Sequence, residues 1–227
     1  MRGLALTLAA LVASSPAMQG SELAGKITLD RKMVRKSLAP AVYDLRGMAV
    51  ADRPAYSPGQ GTFGRVAVWL EGGDSNFLGP VAATMNQKGR HFEPELLIVP
   101  TGSKISFPNL DPIFHNIFSL SRARKFDLGY YSEGKSRDVV FPKAGIVQVY
   151  CHIHPEMYGV VIVTSSKWTA HPNPDGNFSW PDIPAGKYRL MVWQRSAGLQ
   201  EKRVTIPQSG SVQVEVRLPE ENEDTAR

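Results

Sequence analysis

Cysteine is nearly missing from this chain: its 227 residues hold one, Cys151. A disulfide within the chain is thereby excluded, and a structural zinc site, which needs four strong ligands, has poor support. Histidine is scarce too, five in all, so a site that needs several imidazoles exhausts the supply quickly. Long apolar runs are absent, and the best of them, residues 4–13 (LALTLAALVA), is too short to span a bilayer. No stretch of ten or more residues sustains a helical period. The charge excess is small, 26 Lys and Arg against 21 Asp and Glu for a net +5. Its basic clusters (Arg31-Lys32, Arg35-Lys36 and residues 122–125) read as solvated loops or, more sharply, as a field that steers an acidic partner. No segment looks like a nucleic-acid-binding motif.

What is present is punctuation and short apolar runs. Seventeen prolines and 20 glycines break the chain, and 42% of residues are hydrophobic, enough for a substantial core. The spacing predicts strands over residues 24–29, 40–45, 65–73, 96–99, 104–109, 139–141, 145–150, 159–163, 186–193, 204–206 and 211–218. These runs are β-branched or aromatic and bounded by turn residues. Ser211 to Leu218 alternates with period two, as a half-buried strand does. The expected fold class is all-β.

Residues 1–17 read as a secretory signal: Arg2, then the apolar run, then Ser15-Pro16-Ala17 with small residues at the cleavage positions. No cysteine follows the run, which excludes a lipoprotein anchor. The expected location is the periplasm or the medium, with no membrane span in the mature chain. Export sharpens the meaning of Cys151, because an oxidising compartment pairs cysteines or discards them. A lone thiol needs a task, and metal ligation is one.

Cys151 sits in Tyr150-Cys151-His152-Ile153-His154-Pro155-Glu156-Met157. A soft thiolate, an imidazole three residues on and a thioether six residues on can face one ion from one tight loop, which suits mononuclear copper. A second imidazole must come from elsewhere, and His115, 36 residues upstream in Phe114-His115-Asn116, is the candidate. Three other readings compete. A cysteine protease needs Cys, His and Asn from separate elements, whereas this Asn adjoins its His. Zinc lacks thiolates. An inert buried cysteine leaves the spacing of the other three residues as coincidence.

Residues 87–163 resemble the cupredoxins, the blue-copper family that includes plastocyanin and amicyanin. The resemblance rests on Gly102-x-x-Ile105-x-Phe107-x-Asn109, on His115-Asn116 and on Gly145-x-x-x-x-Tyr150-Cys151-x-x-His154-x-x-Met157. The short Cys-x-x-His-x-x-Met spacing is the amicyanin version. The resemblance implies a cupredoxin Greek-key sandwich over residues 85–165 and one type 1 copper, with His115, Cys151 and His154 as strong ligands and Met157 as the weak axial one. It implies that Asn116 ties the His115 strand to the cysteine loop. His152, next to Cys151, is expected to point away from the metal. Glu156, beside Met157, would favour the more positive copper state and lower its potential. His91 and His171 have no ligand-like spacing.

The flanks resemble one carboxypeptidase regulatory-like, transthyretin-like β-sandwich split in two. Its first part is 18–80, carried by Gly25-Lys26-Ile27-Thr28 and by Val66-Ala67-Val68-Trp69-Leu70-Glu71-Gly72. Its second is 170–218, carried by Asp175-Gly176-Asn177-Phe178-x-Trp180 and Ile183-Pro184-Ala185-Gly186-Lys187-Tyr188. A polar tail, 219–227, follows. Proteins of this kind are linked by name to methylamine utilisation, a link that no residue here demonstrates.

The expectation is therefore a monomeric, non-enzymatic carrier of single electrons between redox-protein partners. Electrons would pass through His154, with Pro155, Met157, Ile113 and Phe114 forming the apolar docking face. The alternative is a copper-binding or copper-delivery protein, or a cell-surface module with a carbohydrate-binding-like sandwich. A copper enzyme would need further histidine sets, and only His91, His152 and His171 remain.

Overall fold

Val, Ile, Tyr, Phe and Trp, interrupted every few residues by Gly, Pro, Asn or Ser, leave the chain little choice but extended backbone. The computed structural model describes residues 20–30, 62–73 and 79–219. The segments read as a signal (1–17), a strand (40–45) and, past Pro219, a polar tail lie outside the described residues. Seventeen strands are described, the first nine being β1 (Ser21–Asp30), β2 (Ala67–Glu71), β3 (Ala82–Thr84), β4 (Asn86–Lys88), β5 (His91–Glu93), β6 (Leu96–Pro100), β7 (Lys104–Pro108), β8 (His115–Ser119) and β9 (Phe126–Tyr131). The others are β10 (Ser136–Val140), β11 (Gly145–Cys151), β12 (Tyr158–Thr164), β13 (Thr169–Ala170), β14 (Asn177–Ile183), β15 (Gly186–Gln194), β16 (Gly198–Ile206) and β17 (Ser211–Pro219). The protein is all-β, and none of its described helices is long and apolar enough to cross a membrane.

Two packed cores organise these strands. In the first, sheet β14-β1-β17 faces sheet β13-β2-β15-β16. Leu23, Ile27, Leu70, Trp168, Phe178, Leu190 and Leu218 fill the space between them. Strand β1 runs antiparallel to β14 and parallel to β17, so residues from both ends of the chain make one sheet. The Asn173–Asn177 turn docks on β1: Ile27 donates its N–H to the Gly176 carbonyl at 2.8 Å. Gly176 has φ +83°, and a Cβ there would lie 2.2 Å from the Ile27 oxygen, so only glycine fits.

In the second core, sheet β10-β7-β3 faces sheet β6-β12-β11-β8-β9 across Met85, Phe107, Ile117, Phe141, Val147 and Val149. The hairpin β4-β5 stands beside this pair of sheets. A third apolar cluster joins the two halves. Ala67, Trp69, Met191 and Trp193 on the outer face of β2 and β15 meet Leu96, Tyr158, Val160 and Ile162 on β6 and β12. Strand β12 is therefore buried along its whole length, which accounts for its unbroken Val160-Val161-Ile162-Val163 run.

Strand β2 begins after the expected Arg65 because a 3₁₀ turn occupies Thr62–Arg65, and it ends at Glu71, where Gly72 and Gly73 turn with φ of 109° and 63°. Strands β3, β4, β5, β8, β9, β13, β14 and the polar first part of β16 were not read from sequence as strands. All but β8, which lies between β11 and β9, are at sheet edges. Gly129 at φ 62° interrupts β9, and β14 contains Pro181 and the left-handed Asp182. An edge strand tolerates such residues, so its apolar pattern is weak.

Candidate metal centre

Two neighbouring strands deliver the site. Strands β8 and β11 are antiparallel, with Cys151 opposite Ile117. His115, two residues before Ile117, projects on the same face as Cys151. The chain leaves β11 at Cys151 and turns through residues 152–157 into β12, and the Met157 N–H donates to the His154 carbonyl at 2.9 Å within that turn. This brings His154 back over Cys151. Asn109 shapes the other loop: its side-chain amide donates to the Ile113 and Tyr131 carbonyls, and its oxygen accepts the Asp111 N–H.

The result is a cluster of His115, Cys151 and His154 whose donor atoms all lie within 4.8 Å of one another. The two Nδ1 atoms are 3.0 Å apart. The Cys151 Sγ is 3.9 Å from His115 Nδ1 and 3.6 Å from His154 Nδ1. Metal–ligand bonds of about 2.0–2.3 Å would set three such donors about 3.3–3.8 Å apart around one ion. The observed separations fall within a few tenths of an ångström of that range, so the donor set fits a single thiolate-binding metal. His115 and Cys151 are buried and His154 is half-buried. Met157 is fully buried and packs in the same core as Cys151.

The electrostatics favour a metal-binding thiolate. Burial pushes the Cys151 thiol up, but hydrogen bonding from His115 and from the backbone N–H groups of Asn116, Ile153 and His154 outweighs it, and the net shift is downward. For His115, burial is overcome by its bonds to Cys151 and Asp111, and its pKa rises. His154 is shifted down, by burial first and then by the charge of His115. Asp111 Oδ2 lies 2.9 Å from His115 Nε2. A carboxylate only accepts, so Nε2 carries the hydrogen and Nδ1 is turned to the cluster. Burial raises Asp111, but the Arg90 N–H, His115 and the Gly89 N–H together pull it below the usual carboxylate range.

Several expectations change here. Asn116 bonds the Cys151 sulfur through its backbone N–H, while its side-chain Nδ2 donates to Asp127 at 2.6 Å. Met157, fully buried, does not emerge at the surface beside His154. Pro155 is exposed, as are Ile113 and Phe114, and they are joined by the exposed Leu110 and Ile153. His152 stacks on Phe118 with ring centroids 3.9 Å apart, and His171 donates to the Val66 carbonyl. Glu156 does not stand alone, because Arg90 Nε donates to its Oε1 at 2.6 Å. Sequence reasoning passed over Asp111 and Arg90. The i−4 placement of Asp111 before His115 was a usable signal, whereas Arg90 gave none.

No protein-family model matches the sequence, and no curated protein matches it. Solved structures resemble part of it. A copper-containing nitrite reductase from Thermus scotoductus SA-01 is 26% identical over 38% of this chain and 23% of its own, with a TM-score of 0.36. This chain thus spans under a quarter of that enzyme's length. A purple cupredoxin from Nitrosopumilus maritimus is 26% identical over 36% of this chain and 99% of its own, at a TM-score of 0.33. A tryptophan-to-tyrosine mutant of amicyanin in its reduced state is 21% identical over 37% of this chain and 82% of its own, at a TM-score of 0.35.

Proposed function

We propose that this protein carries single electrons on one type 1 copper held by His115, Cys151 and His154, with Met157 as a weak fourth ligand. The observation that carries the reading is the convergence of one thiol sulfur and two imidazole nitrogens, all within 4.8 Å, from the ends of two adjacent strands, β8 and β11, and the loop that follows β11. Copper held there would alternate between Cu(II) and Cu(I). The chain's own part is to keep the donors in one geometry through that change, so that little has to reorganise. Asp111 orients His115, the backbone N–H groups around Cys151 favour its thiolate form, and His115, Cys151 and Met157 are buried.

His154, half-buried, is the ligand best placed to pass electrons outward. Leu110, Ile113, Phe114, Ile153 and Pro155 form an exposed apolar rim on the loops that precede β8 and follow β11. We read that rim as the docking face for a redox protein, engaged weakly and briefly. His152 and His171 are committed elsewhere, to Phe118 and to the Val66 carbonyl, which favours a carrier over a copper enzyme. In the same reading, β1, β2 and β13–β17 are one transthyretin-like sandwich interrupted by the copper-binding one, a view their common core supports. The chain acts as a monomer, exported to the periplasm or the medium.

The test is the visible and EPR spectrum after adding Cu(II), beside Cys151→Ser. An intense thiolate-to-copper band with narrow hyperfine splitting, lost in the variant, is expected. A colourless protein, or a spectrum unchanged by the substitution, would overturn the assignment.

A further inference from the structure

One residue at the tip of the β4–β5 hairpin touches both loops that carry the metal donors. Gly89 and Arg90 turn the chain in two residues, with φ of 59° and 60°. Consecutive left-handed residues are what a tight hairpin of this hand requires, and glycine or asparagine takes such positions without strain. Arginine does not, so its presence there calls for a reason beyond the turn.

Its contacts supply one. The Arg90 N–H donates to Asp111 Oδ2 at 2.9 Å and the Gly89 N–H to Asp111 Oδ1 at 2.6 Å. The same Asp111 holds His115 Nε2 at 2.9 Å. In the other direction, the guanidinium meets Glu156 Oε1 through Nε at 2.6 Å and also through Nη2. Glu156 stands between His154 and Met157 in the ligand loop. The backbone arm needs only an N–H, which any residue but proline offers. The side-chain arm needs a reach and a two-pronged donor that only arginine has.

We propose that Arg90 is a positioning residue that tethers the 152–157 loop to the hairpin already holding Asp111 and His115. The tether keeps His154 at ligating distance from His115 before a metal arrives. The inference rests on the copper reading for the identity of the metal, but not for the tether itself.

Arg90→Gly separates the two roles, since it keeps the backbone arm, relieves the left-handed strain and removes the guanidinium. The comparison set is wild type, Arg90→Gly, Glu156→Gln and the exchanged pair Arg90→Glu with Glu156→Arg. Two quantities are read: hydrogen exchange at the Met157 amide in metal-free protein, and Cu(II) affinity by chelator competition. In both single variants the Met157 amide is expected to exchange about tenfold faster, and Cu(II) affinity to fall about ten- to a hundredfold, the usual cost of losing an outer partner. Arg90→Gly should melt no lower than wild type, and the exchanged pair should recover most of both losses. The proposal is overturned if Arg90→Gly matches wild type in both readouts. It is equally overturned if exchange quickens throughout the sandwich with a lowered melting temperature. Should wild type itself bind no Cu(II), the copper reading fails, and Met157 exchange in the metal-free proteins still decides the tether.

Discussion

His115 and His154, 39 positions apart, hold their Nδ1 atoms 3.0 Å from each other. Two imidazole nitrogens facing each other beside a sulfur are arranged for a shared cation. The geometry depends on Asp111, which takes the far nitrogen of His115 and is itself fixed by two backbone N–H groups. Asp111→Asn should therefore lower Cu(II) affinity by about ten- to a hundredfold, measured by chelator competition. An affinity equal to wild type would show that His115 is oriented by its burial alone.

Met157 separates ligation from packing. It is fully buried, and leucine nearly conserves its volume. Met157→Leu should cost the metal-free protein less than about 1.5 kcal/mol in denaturant unfolding. In the copper-loaded protein the thiolate band should persist while the reduction potential, read by voltammetry, moves upward as the thioether donor is lost. An unchanged potential would leave Met157 a core residue only.

Tyr158 predicts an alkaline limit to stability. Burial pushes its hydroxyl up to about 12, above an ordinary value of 10.0. The folded protein then holds the proton that the unfolded chain releases first. The stabilisation is whole below pH 10 and is lost as pH rises toward 12, at on the order of 2–3 kcal/mol across the window. Urea unfolding at pH 9 and pH 11 should show the fall, and Tyr158→Phe should reduce it. Part should remain, because burial raises Tyr131 as well.

The contact between the two sandwiches is testable through Trp193, which is 6% exposed and belongs to the cluster joining them. Trp193→Ala should destabilise by about 3–5 kcal/mol. Calorimetry should then resolve two transitions where wild type gives one. A single transition at an undiminished temperature would mean that the coupling between the halves does not depend on Trp193.

The local chemistry was open to reading without coordinates. Cys151, His154 and Met157 share one short loop, so their spacing alone restricts how they can face an ion. Strand β12 carries an unbroken apolar run because both its neighbours and both its faces are covered, and the inner strands β11 and β15 keep apolar runs along their buried positions. Edge strands β9, β14 and β16 were harder to see, since solvent permits glycine, proline and charge there.

By itself the sequence determined that the chain would be built of strands, that its one thiol would sit beside an imidazole and a thioether, and that His115 was available as a second imidazole. Those properties live within a few residues of each other or in composition. Only the tertiary structure decided that β1 would pair with β17, that Asn116 would turn its side chain to Asp127, and that Arg90 would bridge to Glu156 while its backbone held Asp111. Each of these joins residues whose distance is set by how sheets and hairpins pack, and no local periodicity records that.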